Sequence, residues 1–240
     1  MDKLKMQSLD VVGSNIKEIQ QLFPNCVTER LGKDGKPELA IDFEKLQAEL
    51  SNEIIGEGEE RYQFTWPDKR AANRLANTPT TMTLRPCREE SVDFDHTQNL
   101  YIEGDNLDVL KALRETYLGK VKMIYIDPPY NTGNAFDKYD DNMEHSIWLN
   151  LMDCRFRYLH KLLRKDGFLF VNLDEQEHAY AKVLLDGIFG RQNFIGDIIW
   201  QKRKGGGNDS RYLALDHDYI LVYAKDASKE THPVKWRLNK

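Results

Sequence analysis

Asp127, Pro128, Pro129 and Tyr130 stand side by side in the chain. The two prolines fix φ and offer no N–H, so the segment is a stiff turn. It holds together a carboxylate, carbonyl oxygens and an aromatic ring. That set suits a flat heterocycle with an exocyclic amine. Such an amine is a weak nucleophile, because its lone pair is delocalised into the ring. Asp127 can accept one of its N–H groups, and the carbonyl of Asp127 or Pro128 can accept the other. Two acceptors placed in this way favour a pyramidal nitrogen with its lone pair free, which is orientation combined with preorganised electrostatics. Tyr130 offers a face for the ring to stack on. No metal is needed. The plain alternative is a Pro-rich turn with Asp127 as its cap.

The elements around this turn must position it. Val121–Ile126 is a short apolar run that reads as a strand buried on both faces of a parallel sheet. The turn therefore lies at a strand's C-terminal end, where open α/β sheets bind ligands. Asn131, Thr132 and Gly133 continue as loop, and residues 134–144 read as a mobile segment over the site, with an ordinary surface loop as the alternative. Residues 145–165 form an amphipathic helix with Trp148, Leu151, Met152, Leu159, Leu162 and Leu163 on its apolar side. Asp166-Gly167 ends it. Phe168–Leu173 is a second buried strand, finishing at Asp174-Glu175. A helix over 179–189 and strands over 195–200 and 219–224 follow. Upstream, 100–103 reads as a strand, Gly104-Asp105 as a turn and 106–117 as a helix, with Asp105 its natural N-cap. Asp174 has the same capping alternative. Between the last two strands, Lys202, Arg203 and Lys204 precede three glycines. This flexible basic loop suits a phosphate backbone, or is a solvated linker.

Alternating strands and helices give an α/β class with a mainly parallel sheet. Residues 1–95 read as a small helical extension, with helices over 8–23, 42–50 and 67–76; residues 96–240 read as the catalytic part. The chain has 240 residues, 30% of them charged, and a net charge of −5. A broadly basic nucleic-acid binder is thereby excluded, and any DNA contact must be local. Three widely spaced cysteines and six histidines show no metal-ligand pattern. Cys26, Cys87 and Cys154 form no disulfide framework, which fits a reducing, cytoplasmic setting. No apolar run approaches membrane-spanning length.

Asp127-Pro128-Pro129-Tyr130 resembles motif IV of the amino-methyltransferases that act on adenine N6 or cytosine N4 in DNA. A longer match extends it. Tyr101 to Leu107, Tyr125 to Gly133 and His217 to Lys225 resemble the modification (Mod) subunit of type III restriction–modification systems, as does the segment from Arg61 to Arg88. The resemblance implies a Rossmann-like fold that uses S-adenosylmethionine, an adenine flipped from the duplex, and Asp127, Pro128, Pro129 and Tyr130 as its catalytic turn. It also implies that Asp105 (motif III) and Asp174 (motif V) lie near the cofactor. Its partners would be DNA, a second Mod copy and a helicase-nuclease restriction subunit. Relatives acting on cytosine often carry Ser or Thr in place of Asp127, so adenine is the expected target and cytosine N4 the alternative.

The family's Phe-x-Gly-x-Gly cofactor turn is absent from this sequence. In the permuted group to which type III Mod subunits belong, that turn comes late, after the domain that reads bases. The chain thus resembles the N-terminal part of such a protein, with a partial methyltransferase sheet. Two consequences are expected: the 100–103 strand lacks a proper partner, and the 121–126 strand keeps one open, apolar edge. Alone, the chain is expected to bind S-adenosylmethionine weakly and not to methylate DNA. A non-catalytic remnant that dimerises with or titrates longer partners is the rival reading.

Overall fold

The second buried strand, after the long amphipathic helix, organises the described architecture. In a computed structural model, residues 7–32, 35–50, 55, 59–131, 135–136, 139–140, 143–203 and 215–232 are described. The chain separates into two compact units, residues 1–63 with 77–79, and residues 64–76 with 80–240. The expected boundary at residue 95 falls inside the second.

In the first unit, helix α1 (Val11–Leu22) is capped by the Asp10 carboxylate, which accepts from the Gly13 N–H at 3.0 Å. Strands β1 (Val27–Leu31) and β2 (Pro37–Ile41) form an antiparallel hairpin, with Arg30 and Glu38 paired across it at 2.8 Å. Helix α2 (Phe43–Leu50) follows. The extension is therefore not purely helical. The missed signal was the short connection containing Gly32 and Gly35 between two five-residue segments, which suits a hairpin.

The second unit contains helices α3 (Lys69–Asn77, all but its last residue) and α4 (Asn106–Tyr117), strand β3 (Val121–Ile126) and the short pair β4 (Ala135–Phe136) and β5 (Tyr139–Asp140). Then come α5 (His145–Leu162), β6 (Leu163–Leu173), α6 (His178–Phe189), β7 (Phe194–Gln201) and β8 (His217–Ala224). The main sheet runs β3-β6-β8-β7. Only β3 and β6 are parallel; β8 lies antiparallel between β6 and β7. The sheet is mixed rather than mainly parallel, because β7 and β8 are consecutive strands that pair directly and so run in opposite directions.

Strict alternation along β6 decides where the core sits. Leu169, Val171 and Leu173 are fully buried, and Leu221 and Tyr223 of β8 join them. Helix α5 adds Trp148, Leu149, Met152, Phe156 and Leu159, and α6 adds Ala181, Leu184, Leu185 and Phe189. Burial of these side chains is the main force that fixes the sheet, at ~1.5–3 kcal/mol for each large one. Helix α3 is tied to the same body through three backbone carbonyls, two of which, Leu75 and Ala76, belong to its last turn and lack an intrahelical donor. Cys154 donates to the Ala72 carbonyl at 3.1 Å, the Lys111 ammonium to Leu75 at 3.0 Å, and the Tyr158 hydroxyl to Ala76 at 2.6 Å.

Two expectations about strands are corrected. Residues 100–103 form no strand; Leu100 and Tyr101 are exposed, at 67% and 92%. A lone segment has no ladder to join, so extended propensity alone does not make it a strand. Strand β3 is not buried on both faces either: it is an edge strand with Met123 62% and Tyr125 53% exposed. The expected open, apolar edge is what the described sheet presents. Of the segment expected over the site, 134–144, the described residues include the short β4–β5 pair, Met143 and Glu144, while the basic residue Lys204 lies outside the described residues. No helix among the described residues is long and apolar enough to cross a membrane.

Candidate active site

Strand register sets the site. Ile126 pairs with Val171, Leu173 pairs with Tyr219, and Trp200 pairs with Asp218. One edge of the sheet therefore gathers Asp127 after β3, Asn172 and Asp174 at the end of β6, Asp218 at the start of β8 and Lys202 after β7.

Asp127 is exposed, while Pro128, Pro129 and Tyr130 are half-buried. The turn is anchored from behind, where the fully buried Trp148 of α5 donates its indole N–H to the Pro129 carbonyl at 2.8 Å. That carbonyl is already engaged, so acceptors for an amine must come from the Asp127 carboxylate and the carbonyls before Pro129. The Tyr130 ring packs against the edge of the core. Its hydroxyl accepts from the Asn172 amide, and the same amide donates to Asp127 Oδ1 at 3.3 Å. Burial, and then a hydrogen bond with Asp127, push the Tyr130 phenol well above its ordinary pKa, so it stays protonated. Sequence reasoning missed Asn172. Its signal was the alternation of β6, which turns residue 172 away from the face carrying Val171 and Leu173.

Asp105 is the N-cap of α4: its carboxylate accepts from the N–H groups of Leu107 at 2.9 Å and Asp108 at 3.1 Å. It also faces Arg155 at 3.6 Å and is 60% exposed. Asp174 is buried, and its carboxylate accepts from the Gln176 N–H at 3.0 Å. It does not cap α6, whose N-cap is Glu177. Burial, reinforced by Glu175 and Asp218, pushes the Asp174 carboxyl up to about 6 against the opposing pull of Gln176 and Lys202. The Lys202 ammonium is held by Asp218 at 2.7 Å, and Arg203 beside it is exposed. No cluster of His, Cys, Asp and Glu suited to a metal ion occurs among the described residues.

A strand-end carboxylate on a double-proline turn, backed by an aromatic ring, is the arrangement expected of an amine-methylating site. Residues 121–240, half of the chain, match the N6/N4 DNA methylase family. The chain belongs to this family of DNA methyltransferases. It is 32% identical to the Mod subunit of the type III restriction-modification enzyme EcoP15I from Escherichia coli, over 96% of this chain and 39% of that protein. It is 31% identical to the StyLTI Mod subunit from Salmonella typhimurium, over 88% of this chain and 37% of that protein. The type II methyltransferase M.KpnI from Klebsiella pneumoniae is 36% identical over 57% of this chain and 35% of its own length. The methylase chain thus spans under two fifths of the length of these relatives. A crystal structure of the M1.HpyAVI–SAM complex aligns over 53% of this chain and 54% of that one, at 19% identity and a TM-score of 0.37.

Proposed function

We propose that this chain carries the target-base side of a type III DNA adenine-N6 methyltransferase. The observation that carries the reading is the exposed Asp127 carboxylate at the end of β3, on a turn fixed by Pro128, Pro129 and the Trp148–Pro129 hydrogen bond. A flipped adenine would set its N6 amine against the Asp127 carboxylate and the carbonyls before Pro129, with Tyr130 against its ring. Asn172 holds one oxygen of Asp127, so the carboxylate meets the amine in a set orientation. Orientation of this kind supplies much of the rate in a two-reactant transfer.

S-adenosylmethionine is the methyl donor this reading implies, and when bound it supplies an electrophilic methyl group. The residues present fit it only in part. Asp105 offers an exposed carboxylate at a helix N-terminus. Asp174 is buried, and its oxygen is engaged by Gln176. No glycine-rich cofactor turn occurs in the sequence. Arg203, with Lys202 and Lys204 beside it, is the best phosphate contact this segment offers, at about one unit of salt dependence per phosphate neutralised. Pairing with a second Mod copy and with a restriction subunit, and a cytoplasmic setting, belong to the same reading. The free cysteines Cys26, Cys87 and Cys154 are consistent with that setting.

The test is the identity of the product. Residues 61–240 replace the matching segment of the E. coli relative, and nucleosides from DNA treated with the chimera are separated by mass. N6-methyladenine is expected, and Asp127→Ala should abolish it while the protein stays folded. N4-methylcytosine would show that the turn takes cytosine, and undiminished methylation by Asp127→Ala would remove the carboxylate from the chemistry.

A further inference from the structure

Glu177 is a carboxylate side chain with only 2% of its surface exposed. It stands at the N-cap of α6, where a side chain usually serves the helix, yet it makes no capping hydrogen bond. It reaches instead across a polar cleft of about 330 Å³ lined by Asn131, Met143, Glu144, His145, Gln176 and Glu177 itself. There its Oε1 accepts from the Asn131 amide at 2.8 Å, and His145 Nδ1 lies 2.9 Å from its Oε2.

Asn131 follows Tyr130 directly. Its φ is +61°, a left-handed conformation that an L-residue other than glycine adopts at a cost, with Asn among the most tolerant. Its side-chain oxygen accepts from the Met143 N–H at 2.8 Å. The side chain of the residue that follows Tyr130 is thus gripped by a buried carboxylate, and its backbone is in an uncommon state. Burying that carboxylate is itself costly unless its oxygens are satisfied. An apolar residue would fill the same space without that cost, but could not hold an amide.

We propose that Glu177 is a positioning residue for the methylase turn: it fixes Asn131 in the left-handed state and thereby sets the direction in which Asp127 and Tyr130 leave β3. The inference rests on the reading of Asp127–Tyr130 as the catalytic turn, but its test does not require methyl transfer. Glutamine at 177 can still present an oxygen to Asn131 and an amide to His145. Leucine cannot. Glycine at 131 adopts positive φ with no tether.

The 240-residue chain and its variants are compared by isotope-edited NMR. The readout is the strong intraresidue HN–Hα contact that marks positive φ at residue 131, together with the amide shifts of Asp127, Tyr130 and Asn172. Glu177→Gln should keep both. Glu177→Leu should lose the contact at Asn131 and move the three turn signals, while Val171 and Leu221 in the core stay in place. Adding Asn131→Gly to Glu177→Leu should return the turn signals towards their original positions. His145→Phe, which removes the imidazole contact and leaves the amide link, should change neither. If Glu177→Leu does not fold, Asn131→Ala decides the matter, since it releases the turn and keeps the Glu177–His145 pair. Unmoved turn signals in Glu177→Leu, or in Asn131→Ala where it stands in, would overturn the proposal. So would turn signals that follow His145→Phe. Failure of the methyltransferase reading would leave this result unaffected, because the backbone state at residue 131 is measured directly.

Discussion

The Tyr130 hydroxyl changes what a single substitution should do. Read from sequence, Tyr130 is a stacking face, and Tyr130→Phe should be mild. In the structure the hydroxyl takes part in the contact between Asn172 and Asp127. Removing it takes away one of the Asn172 amide's two partners and, on the reading proposed above, unsettles the carboxylate that meets the amine. In a turnover-competent chimera, Tyr130→Ala should weaken engagement of the flipped base by ~1–3 kcal/mol. Tyr130→Phe should keep base affinity and lower the single-turnover rate, a split visible when binding and rate are measured separately. Equal affinity losses for both would return the ring to a minor role. Asp174 makes a second prediction at this scale. Its carboxyl is pushed up to about 6 by burial, above its value in the unfolded chain. The native state therefore holds the proton more tightly. Stability from this group is full below about pH 4 and is lost as pH rises through about 6, an effect on the order of 2–3 kcal/mol. The difference in urea midpoint between the native chain and Asp174→Asn should shift in that direction between pH 4 and 7. A pH-independent difference would mean that Asp174 ionises freely.

Helix α5 connects the core to the chemistry. Trp148 fills the core and, through one indole N–H, holds the Pro129 carbonyl. Trp148→Phe keeps most of the packing and leaves that carbonyl unpaired, a cost of ~1–3 kcal/mol. The expected result is a lower denaturation midpoint together with displaced amide signals at Tyr130. A drop in stability with an unmoved turn would make Trp148 a packing residue alone. This helix was legible in the sequence because its stripe of large apolar residues has helical period, and β6 was legible because Phe168–Leu173 is a short, nearly continuous apolar run of strand length. Two other elements were not. The 100–103 segment looks like a strand, but strand formation depends on a neighbour that local sequence does not specify. The antiparallel placement of β8 between β6 and β7 is a matter of pairing, and pairing leaves no mark on hydrophobic pattern. Within the site, Asp127 to Tyr130 could be read directly, because two prolines constrain any fold around them. Asn172 showed only its place in the β6 alternation and Glu177 showed nothing, because each gains its meaning from a residue more than forty positions away.

At the scale of the whole molecule, the described sheet gathers polar groups at one set of strand ends and leaves β3 at its margin. Asp127, Asn172, Asp174 and Asp218 converge at the ends of their strands, while β3 leaves Met123 and Tyr125 exposed. On the reading proposed above, the converged edge receives the target base, and its exocyclic amine in particular. That assignment can be tested on the chain as it stands, without methyl donor or turnover. Amide shifts of the isotope-labelled 240-residue protein are followed while adenosine monophosphate, and separately inosine monophosphate, is added. The two differ at the base in the group at issue, because inosine carries a carbonyl where adenosine carries its N6 amine. The adenine nucleotide should move the signals of Asp127, Tyr130 and Asn172, the inosine nucleotide should move them far less, and Asp127→Ala should remove the difference. Equal shifts from both nucleotides at these residues, or shifts that leave them untouched, would contradict the claim that this turn receives the amine.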